Sequence, residues 1–325
     1  MNRTGPTGTT DATGLPAGAI RPATPEDLAH AAPIYRHADA EHRHIADGTP
    51  AAEELDAAVL ADLEILMAGP SGSVQVAEGG GTIAGFAGAS IVGRHWHLVY
   101  LFVEPARQGR RLGRLLLNAA HRAGVEAGCT VFTTEPSEDP RALASYVRLG
   151  MLPRPPAVRF SAADPAFPPP RWDEDLAAVP VAPDDQALLA TIGDIDAVVR
   201  GGRRPHEHER WLAAGGTAHL LTRHGQDAPA GYVVTRPEGH RHWRLGPVAA
   251  MDADLVAAVV TRALVVASAR HRPGDRWRLD LPGENHAAVA PVLAAGFRPD
   301  RLFPLLASGP IGRWDRYVFA NLDQL

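Results

Sequence analysis

Two stretches set the strongest limit on what this chain can fold into: DPRALASYVRLGM at 139–151 and NHAAVAPVLAAGF at 285–297. Each opens on a helix-capping residue, Asp139 or Asn285, and carries apolar residues at helical spacing. Each stops at a glycine, Gly150 or Gly296, followed by a large apolar residue. Ahead of both lies the same succession of helix, several strands, long helix and short apolar strand. The chain therefore reads as a divergent tandem repeat of one domain. Its 325 residues suit two domains of ordinary size.

In the first half, Ile20 to Pro22 reads as a short strand. Thr24 fits an N-cap, Pro25 the first helical position and Asp27 the acid of a capping box, so a helix is expected to about Ala38. A second helix ends at Gly69. Val74 to Ala77 and Ile83 to Val92 alternate like a hairpin around Gly79, Gly80 and Gly81, and Trp96 to Val103 is an apolar strand halted before Pro105. A helix follows from Leu112, and CTVFTT, which holds the single cysteine Cys129, reads as a buried strand. The second half opens on DIDAVVRGGRRPHEHERWLAAG. It continues with strands AHLLTR, AGYVVTRP and WRLGPVAA, a helix over DADLVAAVVTRALVVASA and a strand WRLDLP.

Between the halves the sequence is rich in proline, which marks a boundary. The expected organisation is a disordered tail over 1–18, a first domain over 19–165, a linker over 166–185 and a second domain over 186–325. AVRFSA is expected to pair as a closing strand of the first sheet.

Composition narrows the chemistry. Net charge is −5 and no basic block stands out, which argues against nucleic acid as a standing partner and suits an amine. One cysteine excludes an internal disulfide and a cysteine-rich zinc site. Every basic side chain other than histidine is arginine, which points to a GC-rich, bacterial coding bias. With no signal pattern and no apolar run of membrane-spanning length, a cytoplasmic location is expected.

RQGRRLGRLLLNAAHRAG, from Arg107 to Gly124, is the chemically distinctive stretch. A strand ends at Val103 and a helix begins near Leu112, with a turn of glycine and arginine between them. Helix-start N–H groups lack intrahelical partners and carry partial positive charge, so such a turn can cradle a pyrophosphate. The bland alternative is an ordinary connection with a solvated basic rim.

LFVEPARQGRRLGRLLL resembles the acyl-CoA-binding motif of the GNAT superfamily of N-acyltransferases, Q/R-x-x-G-x-G/A. Gln108 and Gly113 match its ends, while Arg111 stands where the middle glycine is usual. The late helix resembles the family's N-x-x-A-x-x-x-Y-x-x-x-G-F. Ala142, Tyr146 and Gly150 match, and Asp139 and Met151 replace Asn and Phe. The resemblance covers roughly Ile20 to Gly150. It implies an α/β fold of two tandem GNAT-like domains, each a mostly antiparallel twisted sheet flanked by helices.

It also implies acetyl-CoA as acyl donor, with no metal. Backbone groups of Leu101, Phe102 and Val103 would hold the pantetheine, with the Val103 N–H on the thioester carbonyl. Gln108, Gly109, Arg110, Arg111, Leu112, Gly113 and Arg114 would hold the pyrophosphate, and Asp139 would lie beside the donor. Tyr146 is the carried-over general acid for the leaving thiolate. His95 and His97 share one face of their strand, so His97 is the candidate base, with Glu104 and Glu135 behind it. Tyr35, Asp39, Glu41 and His95 are the candidate acceptor-binding residues; the cluster His37, Asp39, Glu41, His42 and His44 matches no metal-ligand spacing.

In the second half acids, as in MDADLVAAVV, stand where phosphate would sit, and Val292 takes the place of Tyr146. That half is expected to be inactive toward CoA, and to shape the acceptor site or mediate a homodimer. The leading expectation is an N-acetyltransferase for a small-molecule amine, without nucleic acid or membrane. The alternatives are an acyl or aminoacyl transferase using a carrier-protein or tRNA-bound donor, and a CoA-sensing module without turnover.

Overall fold

The structure is a computed structural model, and it describes residues 20–42, 52–68, 72–79, 81–109, 111–169, 176–223, 225–226 and 228–322. The tail expected over 1–18 lies outside these. The chain forms two compact units, one of 1–91 with 96–130 and one of 92–95 with 131–325. No helix among the described residues is long and apolar enough to cross a membrane.

The first unit is built on strands β1 (Ile20–Pro22), β2 (Gly72–Gly79), β3 (Thr82–Val92) and β4 (His95–Val103), with helices α1 (Leu28–His42), α2 (Ala52–Met67) and α3 (Leu112–Glu126). β1 and β3 both run antiparallel to β2, and Phe86 faces Val76 across the β2–β3 hairpin. Leu28 and Ile34 of α1 and Val59, Leu63 and Leu66 of α2 pack against Val74, Val76, Phe86 and Tyr100, forming one apolar core. β3 and β4 press together at Gly85, where a Cβ would lie 2.7 Å from the Phe102 carbonyl oxygen. α1 outruns its expected end at Ala38, reaching His42 despite Pro33 in its interior. Its approach is capped as the sequence implies. The Asp27 carboxylate accepts from the Thr24 N–H at 2.7 Å and is paired with Arg21 at 2.6 Å.

The second unit holds β5 (Val131–Thr134), α4 (Pro140–Arg148), β6 (Leu152–Ala163), β7 (Leu176–Val181), α5 (Gln186–Val199), α6 (Pro205–Ala213), β8 (Thr217–Arg223), β9 (Pro229–Pro237), β10 (His242–Ala250), α7 (Val256–Ser268), β11 (Arg276–Leu281), α8 (Val289–Ala294), β12 (Arg298–Ala307) and β13 (Tyr317–Val318). Its strands lie in the order β5-β12-β6-β11-β10-β9-β8-β7, with β13 on β10. β10 and β11 are parallel, and the other pairs are antiparallel. Both faces are covered, and β9 shows the two-residue alternation this requires. Tyr232 and Val234 join the core beneath α5 and α6, while Val233 between them joins the core beneath α7.

Three expectations are corrected. AVRFSA lies in β6, but β6 does not close a sheet of its own half: it pairs with β11 and β12, both from the second half. β12, its counterpart by position after the Gly296 helix, pairs in turn with β5, Leu306 opposite Thr134 and Ala307 opposite Thr133. The repeats thus exchange their closing strands. The stretch expected as a linker over 166–185 contains β7, whose single proline, Pro180, suits the edge position it occupies. Cys129 precedes β5 rather than lying in it, and burial pushes its thiol upward.

Candidate active site

In the first unit the chain leaves β4 at Val103, makes one short turn over Pro105–Arg107, and enters α3 at Leu112. The Gln108 side-chain amide donates to the Val103 carbonyl at 3.4 Å, tying the turn to the strand end. Gly109 is left-handed, with φ of +77°, and a Cβ there would meet nothing within 4 Å. Arg111 is the N-cap of α3 and is also left-handed, with φ of 65°. It therefore adopts the backbone that the family's usual glycine allows without strain. A Cβ at Gly113 would meet the Val103 side chain at 3.8 Å and nothing else within 4 Å. Leu112 anchors the helix start in the core at 2% exposure, while Arg111 stays exposed and Arg114 points outward. Arg110 lies outside the described residues.

These features suit a pyrophosphate: an open loop beside a helix start, with arginines at its edge and no acid within the turn. The matching connection in the second half is built otherwise. β10 leads through Asp252 and a short turn over Ala253–Leu255 into α7, with Asp252 and Asp254 at the helix start and no left-handed glycine. A phosphate there would meet carboxylates.

β4 places His95 and His97 among buried residues, at 4% and 2% exposure. The His95 ring Nε2 lies 2.6 Å from the Thr133 hydroxyl. Leu101 and Phe102 are half-buried and Val103 is buried. Tyr35 on α1 sets its ring edge-on to Phe102 at 4.8 Å and to Tyr100 at 6.0 Å, joining the aromatic wall of the first core. Glu104 lies 3.3 Å from the ring of His37. The side chains of Asp39, Glu41 and His42, and all of His44, lie outside the described residues.

In the second unit, α4 begins with Asp139 as N-cap, its carboxylate accepting from the Arg141 N–H at 2.8 Å and paired with the Arg141 guanidinium at 2.9 Å. Tyr146, one turn before the helix ends, is 5% exposed and hydrogen-bonded to Thr134 on β5. Burial pushes its phenol up to about 12; the Thr134 bond works against the rise and the charge of Asp139 adds to it. The group therefore stays protonated at neutral pH and can give a proton. Thr133 and Thr134, which hold His95 and Tyr146, carried no signal in the sequence, because a threonine in a strand becomes informative only once its partners are in place. Val292, at the position matching Tyr146, is fully buried apolar core.

The acetyltransferase (GNAT) family pattern matches residues 33–151, and the acetyltransferase (GNAT) domain pattern matches residues 192–310. A search of curated proteins finds no match. Among solved structures, a protein from Pyrococcus horikoshii is 16% identical, with a TM-score of 0.64 over 94% of this chain and 95% of its own. A GCN5-related N-acetyltransferase from Sphaerobacter thermophilus is 18% identical, with a TM-score of 0.58 over 96% and 100%. A tandem GNAT protein from the clavulanic acid biosynthesis pathway is 17% identical, with a TM-score of 0.55 over 90% and 98%. These likenesses are of fold.

Proposed function

The chain belongs to the GNAT acetyltransferase family, with two such domains in tandem, and from that premise we propose that it is an N-acetyltransferase acting on the primary amine of a small molecule. The observation that carries this reading is the contrast between the two strand-to-helix turns: open, left-handed and arginine-edged after Val103, acidic after Ala250. In this reading 19–165 is the catalytic domain and 186–325 a degenerate partner.

Bound acetyl-CoA supplies an activated acetyl thioester. The backbone N–H groups from Gln108 to Arg114 hold its pyrophosphate, and the β4 end at Leu101 to Val103 holds its pantetheine. Tyr146 delivers a proton to the departing sulfur, its phenol kept protonated by burial and held by Thr134. His97 is the candidate acceptor for the proton of the incoming amine, since a neutral imidazole offers a basic ring nitrogen. His95, tied to Thr133, positions that strand face.

Calorimetry of the full chain with acetyl-CoA tests the reading, with Gly113→Asp beside the wild type. One site per chain, abolished by Gly113→Asp, supports it and opens an amine screen. Two sites would mean that the second half also binds the donor. No binding would replace acetyl-CoA with a carrier-protein or tRNA-bound donor, and binding without turnover across the amine panel would leave a sensing module.

A further inference from the structure

Two strands of the chain begin alike, HWHLVYLFV in β4 and HWRLGPVAA in β10. Aligned on the shared His-Trp, Val248, Ala249 and Ala250 are the counterparts of Leu101, Phe102 and Val103, the strand end read above as holding pantetheine. Counting back from the helix caps Asp139 and Asn285, Asp280 on β11 is the counterpart of Thr134 on β5.

In the second half this place is already taken. β10 and β11 pair in parallel from His242 to Arg244, and β10 then bulges between Leu245 and Val248. β13 enters beyond that point and bonds to both strands. On one side Val318 pairs with Val248 and Tyr317 with Ala249. On the other, Phe319 bridges Asp280, its N–H donating to the Asp280 carbonyl at 3.0 Å. The Asn285 side-chain amide donates to the Tyr317 carbonyl at 2.8 Å. Gly246 makes the room: a Cβ there would collide with the Phe319 carbonyl oxygen, and the first half has Val99 at that position. Arg316 reaches the turn, donating from Nη1 to the carbonyl of Met251, the residue before Asp252. Tyr317, Val318 and Phe319 are at most 1% exposed.

The backbone groups along two parted strands need partners, and an added strand supplies them. Pantetheine is itself an amide chain and would compete for the same groups. We propose that residues 316–319 are a built-in occupant of the second half's donor groove, closing that half to acyl-CoA independently of the acids in its turn. The backbone of Tyr317–Phe319 stands in the pantetheine's place, and Arg316 lies toward the pyrophosphate end. The inference rests on reading the β4 end as the first half's donor groove.

Acetyl-CoA stoichiometry, measured by calorimetry on the full chain, separates the strand from the acids. Asp252 and Asp254 are exposed, so both can be changed to glycine. The chain with Asp252→Gly and Asp254→Gly should keep one site, as the wild type does, because β13 still fills the groove. Adding Asn285→Asp keeps the acceptor that caps Ala288 and removes the donor to Tyr317. It should open a second, weaker site and raise hydrogen exchange over 316–319 about tenfold. Should that chain not fold, Val318→Ala loosens the same strand and is read in the same way. Two sites with the acids removed and β13 intact overturn the inference, since the acids alone would have closed the groove. Faster exchange over 316–319 without a second site also overturns it, because the emptied groove then refuses the donor. Exchange that stays unchanged in both loosened chains, or rises only together with β10 and β11, makes β13 an inseparable part of the sheet and overturns it too. No site in the wild type removes the first half's donor groove, and this inference with it.

Discussion

His95 and Thr133 share a 2.6 Å hydrogen bond in which both side chains are buried. The next residue on β5, Thr134, holds Tyr146 instead. Successive side chains on a strand point to opposite faces, so one dipeptide fixes two candidate site residues. β5 is itself held by β12, which pairs with both threonines.

Tyr146→Phe should lower turnover by about 100-fold, the usual scale for a proton donor, while leaving acetyl-CoA affinity near wild type. Steady-state kinetics beside calorimetry separate the two quantities. Because the phenol is pushed up to about 12, the turnover profile should show no alkaline limb near the ordinary tyrosine value of about 10. Near-normal turnover in the variant removes Tyr146 as the acid.

Arg111→Gly should stabilise the first unit by about 1 kcal/mol, because it relieves a left-handed arginine. Thermal melting checks this. A loss of stability would mean that the arginine side chain contributes more than its backbone costs.

Asp27 predicts an acid limb of stability. Its hydrogen bond with Arg21, chiefly, holds the carboxyl at about 2, below its ordinary 3.8. The folded state therefore gains from Asp27 fully above about pH 4 and loses that gain as pH falls toward 2. Arg21 keeps a third of its side chain in solvent, so the gain is on the order of 1 kcal/mol. Urea melts of wild type and Asp27→Asn between pH 6 and pH 2, in steps of about one unit, should converge at the acid end.

Asp280 is fully buried between Arg159 at 2.8 Å and Arg244 at 2.5 Å, joining β11 to β6 and β10. Asp280→Asn leaves Arg159 without its carboxylate and Arg244 with Glu238 alone. It should cost about 3–5 kcal/mol, read as a lower denaturation midpoint. A shift under about 1 kcal/mol would show that water or a neighbour takes over the pairing.

The halves should not fold separately. A fragment ending at 165 leaves β5 without β12, and β6 without β11 and β12. It should show no cooperative melt by circular dichroism, and co-expression with 166–325 should restore one. A stable, active 1–165 would show that β6 can move back beside β5.

The sequence carried most of the elements because their signals are local. Asp139, Pro140 and Gly150 bracket α4 as caps must, and the glycine turn before Thr82 made β3 legible, although β3 is buried without a break from Ala84 to Ser90. The turn after Val103 was readable because Gln108 and Gly113 stand at fixed offsets. Exchange of β6 and β12 was not readable, since strand partners separated by more than a hundred residues leave no periodicity behind. β7 was hidden by Pro180, which an edge strand tolerates.

The exchanged strands also bear on how such a chain came to be one polypeptide. Two separate copies trading β6 and β12 would form an intertwined dimer, whose completeness would fall on dilution. Joining the copies by peptide bonds replaces that encounter with an intramolecular one at high effective concentration. Each copy's closing strand is then always present, whatever the protein's abundance in the cell. Once joined, the second copy supplies β12 beside Thr133 and Thr134 whatever its own strand-to-helix turn carries.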